Sequence, residues 1–179
     1  MNPFSDKIIL VTGASSGIGK ETARYRAGEG VKGVALFARS ADKLEAVAKE
    51  INEVAGPTKA LVIVGDVSKE ADNQRAVEET VKTFGGITGA FINAGAYVGG
   101  MPLHETPDDK IDSVVDVNIK GVIFAFRHLI PAIKATVGDL DELRRNIDTD
   151  DLGAACRQFS AHHTRAAARI PDTPSSPSR

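Results

Sequence analysis

Short apolar runs alternate with stretches of helical period along the first three quarters of the chain. Residues 8–12, 33–38, 60–64 and 89–92 are apolar without alternation. That is the pattern of strands covered on both faces of a parallel sheet. Residues 17–30, 41–54 and 69–84 carry the 3.6-residue period. The first of these helices is closed by glycine and the second by Gly56-Pro57. The third places Ala76, Val77, Thr80, Val81 and Phe84 on one side. The order predicts an α/β chain: a Rossmann-like, doubly wound parallel sheet of strands 1–4 with flanking helices.

A longer helix is expected from Thr106 to Ile130. Thr106 suits the N-cap, Pro107 the first helical position, and Asp108 and Asp109 the first turn. Ile111, Val114, Val115, Asn118, Ile119 and Val122 recur at helical spacing, and Pro131 ends or bends the helix. Arg26 breaks the apolar face of the first helix, so its side chain must snorkel or destabilise the packing.

The chain changes character after Val137. All eleven lysines lie at or before Lys134, and six of the eleven arginines lie from Gly138 onward. No strand-like run follows. Leu140, Leu143 and Ile147 suit one short amphipathic helix, and Leu152, Ala155, Cys156 and Phe159 another. From Ile170 the sequence is rich in proline and serine, a composition that disfavours a packed core. The expected division is residues 1–137 as the Rossmann-like domain and 138–179 as an irregular or helical tail.

With 179 residues there is material for one sizeable core. A net charge of −2 gives no electrostatic case for nucleic acid or an anionic membrane. No apolar run is long enough to span a bilayer, and the N-terminus lacks the apolar stretch of a signal peptide. One cysteine excludes an internal disulfide, which points to a reducing compartment and hence the cytoplasm. The adjacent His162 and His163 with one distant cysteine do not have metal-ligand spacing, so no metal is expected.

The chemistry concentrates at Gly13-Ala14-Ser15-Ser16-Gly17-Ile18-Gly19, between the first strand and the first helix. A glycine-rich turn that opens a helix presents backbone N–H groups at the positive end of the helix dipole, which attracts a pyrophosphate. Glycine is needed because a Cβ would hold the phosphates away or forbid the turn. The same residues also read as Gly-x-Ser-x-Gly, the nucleophile elbow of a serine hydrolase with Ser15 as nucleophile. Only twelve residues precede Gly13, too few for the earlier strands of such a hydrolase, and an elbow does not require Gly19.

Four motifs in register carry a resemblance. They are Thr12 to Gly19, then Asp66-Val67, Asn93-Ala94-Gly95-Ala96, and Asn118 within Val117-Asn118-Ile119-Lys120-Gly121. From about Lys7 to Val137 the chain resembles the N-terminal part of a classical short-chain dehydrogenase/reductase. The resemblance implies that Gly13, Ser15, Ser16, Gly17, Ile18 and Gly19 line the cofactor diphosphate and adjacent ribose. Asp66 and Val67 would meet the adenine edge. Asn93, Ala94 and Gly95 would contact the adenosine side, and Asn118 would hold a proton-relay water through its carbonyl. Asp66 could equally cap a loop by an Asx-turn.

The second strand ends Leu36-Phe37-Ala38-Arg39-Ser40, with no acid for a ribose 2′-hydroxyl. Arg39, helped by Ser40, suits a 2′-phosphate, so NADP(H) is favoured over NAD(H). The family's chemistry moves a hydride between nicotinamide and a carbonyl or alcohol carbon, using a serine and a Tyr-x-x-x-Lys pair. Here Tyr25 is followed four residues on by Glu29, and Tyr97 by Met101. The expectation is a cofactor-binding chain with little or no turnover, cut short or read in another frame after Val137. The alternative is a non-catalytic dinucleotide-binding or interaction module, and the family resemblance points to homo-oligomerisation through the helix from Thr106 to Ile130.

Overall fold

The computed structural model describes residues 2–54, 56, 58–100 and 102–138. Strands β1 (Ile8–Thr12), β2 (Gly33–Ala38), β3 (Lys59–Val64) and β4 (Gly89–Ile92) form one parallel sheet in the order β3-β2-β1-β4. Helices α1 (Gly17–Gly28), α2 (Ala41–Val54) and α3 (Glu70–Phe84) are the crossovers between them. The chain winds outward from β1 to β3, then returns to the other side of β1 for β4. The reversal opens a crevice between β1 and β4 at their carboxyl ends, where doubly wound sheets bind ligands.

Successive residues of each strand face opposite layers. On one face Val11, Val34 and Leu36 pack with Ala23, Ala27, Leu44, Val47 and Ile51 of α1 and α2. On the other, Leu10, Ala35, Phe37 and Ile63 pack with Ala76 and Val77 of α3 and with Ala125 and Leu129 of the last helix. Both faces of β1 and β2 are therefore buried, as their unbroken apolar sequences require. Among the described residues β4 has no strand on its outer side, and its residues are only partly covered.

The long helix differs from its expected form. Thr106 does not cap it; its hydroxyl donates to the Pro102 carbonyl at 3.1 Å, and Pro107 takes the N-cap in an extended conformation. The helix is built as α4 (Asp108–Val115), a π turn over Asp116–Lys120, and α5 (Gly121–Val137). A π turn adds a residue, which rotates everything beyond it by about 100° relative to an unbroken helix. Hence the apolar positions before and after it do not share one buried face. Ile111 and Ile119 are exposed, while Gly121, Ala125 and Leu129 face the sheet.

Pro131 does not end the helix. It is exposed within α5, which continues for six more residues, and near the end Thr136 accepts the Ile87 N–H at 3.0 Å. Val81, expected inward, is also exposed. Arg26 snorkels: its guanidinium pairs with Glu29 at 2.7 Å and lies 5.7 Å over the Tyr25 ring. The helices expected within 138–179 and the Pro/Ser-rich end lie outside the described residues. No helix among the described residues is long and apolar enough to cross a membrane.

Leu36 is fully buried at the centre of β2. Leu36→Ala is expected to lower unfolding free energy by about 2–5 kcal/mol through lost burial and a residual cavity. Urea denaturation followed by circular dichroism measures this; a midpoint equal to that of the parent chain would contradict the assigned core.

Candidate functional site

The carboxyl ends of the strands and the loops that follow them enclose a cavity of about 480 Å3. Gly13, Ser15 and Ser16 form its wall after β1, and Arg39 and Ser40 its wall after β2. Asp66 and Val67 line it after β3, and Asn93, Ala94 and Gly95 after β4. Residues from four separate loops are thus brought together.

The glycine turn is shaped by two close approaches. Gly13 has φ +67°, and a Cβ there would stand 2.9 Å from the Ala94 Cα. A Cβ on Gly19 would sit 2.3 Å from the Gly13 carbonyl oxygen, so the first turn of α1 rests directly on the loop. Neither contact can relax by moving a flexible side chain. Ser16 occupies the N-cap of α1 without a side-chain cap bond. The first helical bond is Lys20 N–H to the Ser16 carbonyl at 3.2 Å, which leaves the N–H groups of Gly17, Ile18 and Gly19 ahead of the ladder. This is the electropositive terminus an anion requires.

Gly17, Ile18, Gly19 and Asn118 do not line this cavity. Gly17 and Ile18 border a larger, mainly apolar cavity of about 1000 Å3 between α1 and the face of β1 and β4, with Phe4, Ile9, Tyr25 and Phe91. Gly19 lies beneath the loop. Asn118, on the π turn, donates to the Ala96 carbonyl at 2.9 Å and accepts the Ala96 N–H at 2.7 Å. Its side chain is therefore a clamp on the loop after β4. Asn93 braces the same region, donating to the Thr12 carbonyl at 3.3 Å.

Asp66 does make an Asx-turn: its Oδ1 accepts the Ser68 N–H at 2.9 Å. Ser15 lacks the backbone of a nucleophile elbow, since among the described residues every positive φ belongs to glycine. Gly121 has the packing role expected of it; a Cβ would stand 3.0 Å from the Val67 carbonyl oxygen.

Some contributors were not singled out from sequence. Thr12 is fully buried, and its hydroxyl oxygen accepts the N–H groups of Asn93 at 2.9 Å and Ala94 at 3.0 Å. The signal was a lone hydroxyl ending an aliphatic strand. Asp72 accepts the Asp66 N–H at 2.9 Å and pairs with Arg75 at 3.1 Å. The Asp66 N–H, and then the Arg75 guanidinium, hold its carboxyl below the usual carboxylate range against the opposing effect of burial. Only the three-residue spacing of an acid and an arginine hinted at this pair. Ser113 and Val117 reach the cavity from α4 and the π turn.

A parallel sheet with this switch-point crevice defines a Rossmann-like α/β protein. Comparison with known proteins narrows the class: the family model for short chain dehydrogenases matches residues 7–140, and the chain belongs to that family. An uncharacterized oxidoreductase of Listeria monocytogenes is 37% identical over 132 residues, which cover 74% of this chain and 52% of the relative. L-sorbose reductase from Gluconobacter frateurii, solved with NADPH and L-sorbose, superposes with a TM-score of 0.69 at 29% identity, covering 74% of this chain and 49% of that one. NAD+-bound xylitol dehydrogenase gives 0.70 at 30% identity, covering 75% and 50%. The chain spans about half the length of the curated relatives it matches.

Asn118→Ala removes both bonds to Ala96. The Ala96 amide is expected to exchange with solvent about ten-fold faster or more, while core amides of β1 and β2 keep their protection. Hydrogen exchange read by NMR decides this; an unchanged Ala96 rate would show that the clamp does not hold the loop.

Proposed function

We propose that this chain forms the cofactor-binding part of an NADP(H)-dependent short-chain oxidoreductase, with little or no turnover of its own. The observation that carries the reading is the convergence of the glycine turn, Arg39, Asp66 and Asn93 on one cavity at the switch point. In this reading the turn and the N-terminus of α1 hold the diphosphate. Asp66 and Val67 meet the adenine edge, while Asn93, Ala94 and Gly95 contact the adenosine side. Asn118 contributes its backbone carbonyl toward a relay water.

Arg39 is exposed at the end of β2, on the cavity wall beside Ser40, and no acid stands there. A guanidinium in that position discriminates for a 2′-phosphate by charge-assisted hydrogen bonds. The chemistry supplied by a bound nicotinamide is hydride transfer to or from a carbonyl or alcohol carbon. Proton transfer needs a phenol lowered by a nearby cation, and neither Tyr25 nor Tyr97 has a lysine four residues on. Hence the low turnover. The single cysteine favours the cytoplasm as the place of action.

We also propose self-association through the long helix expected from Thr106 to Ile130 and built from Asp108 to Val137. Ile119, Ile123, Phe126 and Ile130 form an exposed apolar stripe at helical spacing. An antiparallel second copy joins apolar stripe to apolar stripe.

NADPH is expected to raise the melting temperature more than NADH at equal concentration, reflecting an affinity advantage of about ten-fold or more. Arg39→Ala should erase that difference. Thermal shift measures both; equal shifts by the two cofactors in the parent chain reject the 2′-phosphate assignment, and no shift by either rejects dinucleotide binding. For the second copy, sedimentation is expected to show a dimer that Ile123→Asp converts to a folded monomer. A parent chain monomeric at the highest soluble concentration ends that reading.

A further inference from the structure

The cavity wall after β3 is held from behind by a pair of charges that do not themselves line it. Three consecutive backbone groups are fixed there. The Val64 carbonyl accepts from Arg75 Nη2 at 2.7 Å, the Gly65 N–H donates to the Ala38 carbonyl at 3.0 Å, and the Asp66 N–H donates to Asp72 Oδ2 at 2.9 Å. Arg75 Nη2 also donates to Asp72 Oδ1 at 3.1 Å, so one guanidinium nitrogen joins the strand end to the acid that holds the next turn. Gly65 lies between them with no room to spare. A Cβ there would stand 2.7 Å from the Phe37 ring, 3.0 Å from Arg75 Nη2 and 3.1 Å from the Asp72 carboxyl carbon.

We propose that Asp72 and Arg75 are positioning residues for the adenine half of the dinucleotide, presetting Asp66 and Val67 without touching the ligand. This rests on the dinucleotide reading given above. The argument is one of donors and acceptors. Asp66 turns toward Ser68 through its carboxylate, and Val67 is fixed through its carbonyl, which accepts from Asn73 Nδ2 at 2.7 Å. What sets the tilt of the peptide leading into this turn is the Asp66 N–H, and its partner is Asp72. A carboxylate accepts that N–H more strongly than a neutral oxygen. Arg75 fixes the carboxylate's plane, because it holds the second oxygen while gripping Val64. The Asp66 N–H, and then Arg75, hold the Asp72 carboxyl below the usual carboxylate range, so it is charged at neutral pH.

A loop held this way meets the adenine edge with its conformational cost already met, so the pair adds to affinity and to discrimination between bases. The ribose 2′-phosphate is contacted elsewhere, by Arg39. Loss of the pair therefore acts on adenine recognition selectively.

The test compares NADPH with its hypoxanthine analogue, which lacks the exocyclic amine, by calorimetric titration of the full chain. The parent is expected to favour NADPH, and Asp72→Ala to reduce that preference to near unity while weakening NADPH about ten-fold. Asp72→Asn, whose carbonyl still accepts the Asp66 N–H, should restore part of the preference and guards against misfolding of the alanine variant. Glu79→Ala removes the second carboxylate partner of Arg75 and should leave the ratio unchanged. An unchanged ratio in Asp72→Ala overturns the proposal, as does equal weakening of both ligands, the mark of general destabilisation. A parent that binds NADPH without base preference also overturns it, yet leaves the dinucleotide reading intact; a parent that binds neither nucleotide defeats both.

Discussion

The hydroxyl of Thr12 is the contact on which the site's geometry depends. It is buried at the last position of β1 and accepts two N–H groups from the start of the loop after β4. A buried hydroxyl without partners costs roughly 1–3 kcal/mol, so its position and that of the loop are mutually enforced. The loop so placed brings Asn93 and Ala94 against Gly13, where no side chain fits. Gly13 in turn supports Gly19 and the first turn of α1. One oxygen atom thereby couples the end of β1, the glycine turn and the loop after β4. The crevice between β1 and β4 is the result of that coupling and not of apolar packing alone.

Much of this architecture was legible in the sequence because burial leaves a plain signature. The unbroken apolar runs of β1 and β2 could only belong to strands covered twice, and the boundaries of both strands were read correctly from composition alone. The glycine turn was legible for a related reason: spacing that violates helix propensity is explained only by backbone that must come close to something. Arg39 could be named because it directly follows β2, where the fold places the group that meets the ribose, whereas Asp66 and Asn93 were named through the family resemblance.

The helix after β4 was expected, but its interruption was not legible, and the reason is geometric. Periodicity analysis assumes a constant 100° step, and a single added residue at Asp116–Lys120 breaks that assumption without any compositional mark. Asn118 was recognised, yet its side chain serves the loop rather than the cavity. Asp72 and Arg75 escaped for a different reason. On paper they are an ordinary surface ion pair of α3, of a kind worth little; only the neighbouring Gly65, Val64 and Asp66 backbone gives them a task. Side chains that act through another segment's main chain leave no pattern in their own.

The pairing of β1 with two neighbours also bears on the order in which the molecule assembles. Ile8–Thr12 meets β2 about 25 positions further on and β3 reaches β2 across a similar interval, but β4 joins β1 only after a gap of roughly 80. Closing the larger loop loses more chain entropy and is rewarded by a four-residue strand. Contact order thus favours early formation of the three-stranded half and late closure of the crevice between β1 and β4, so any ligand seated in that crevice bears on the final step of assembly and the first step of opening.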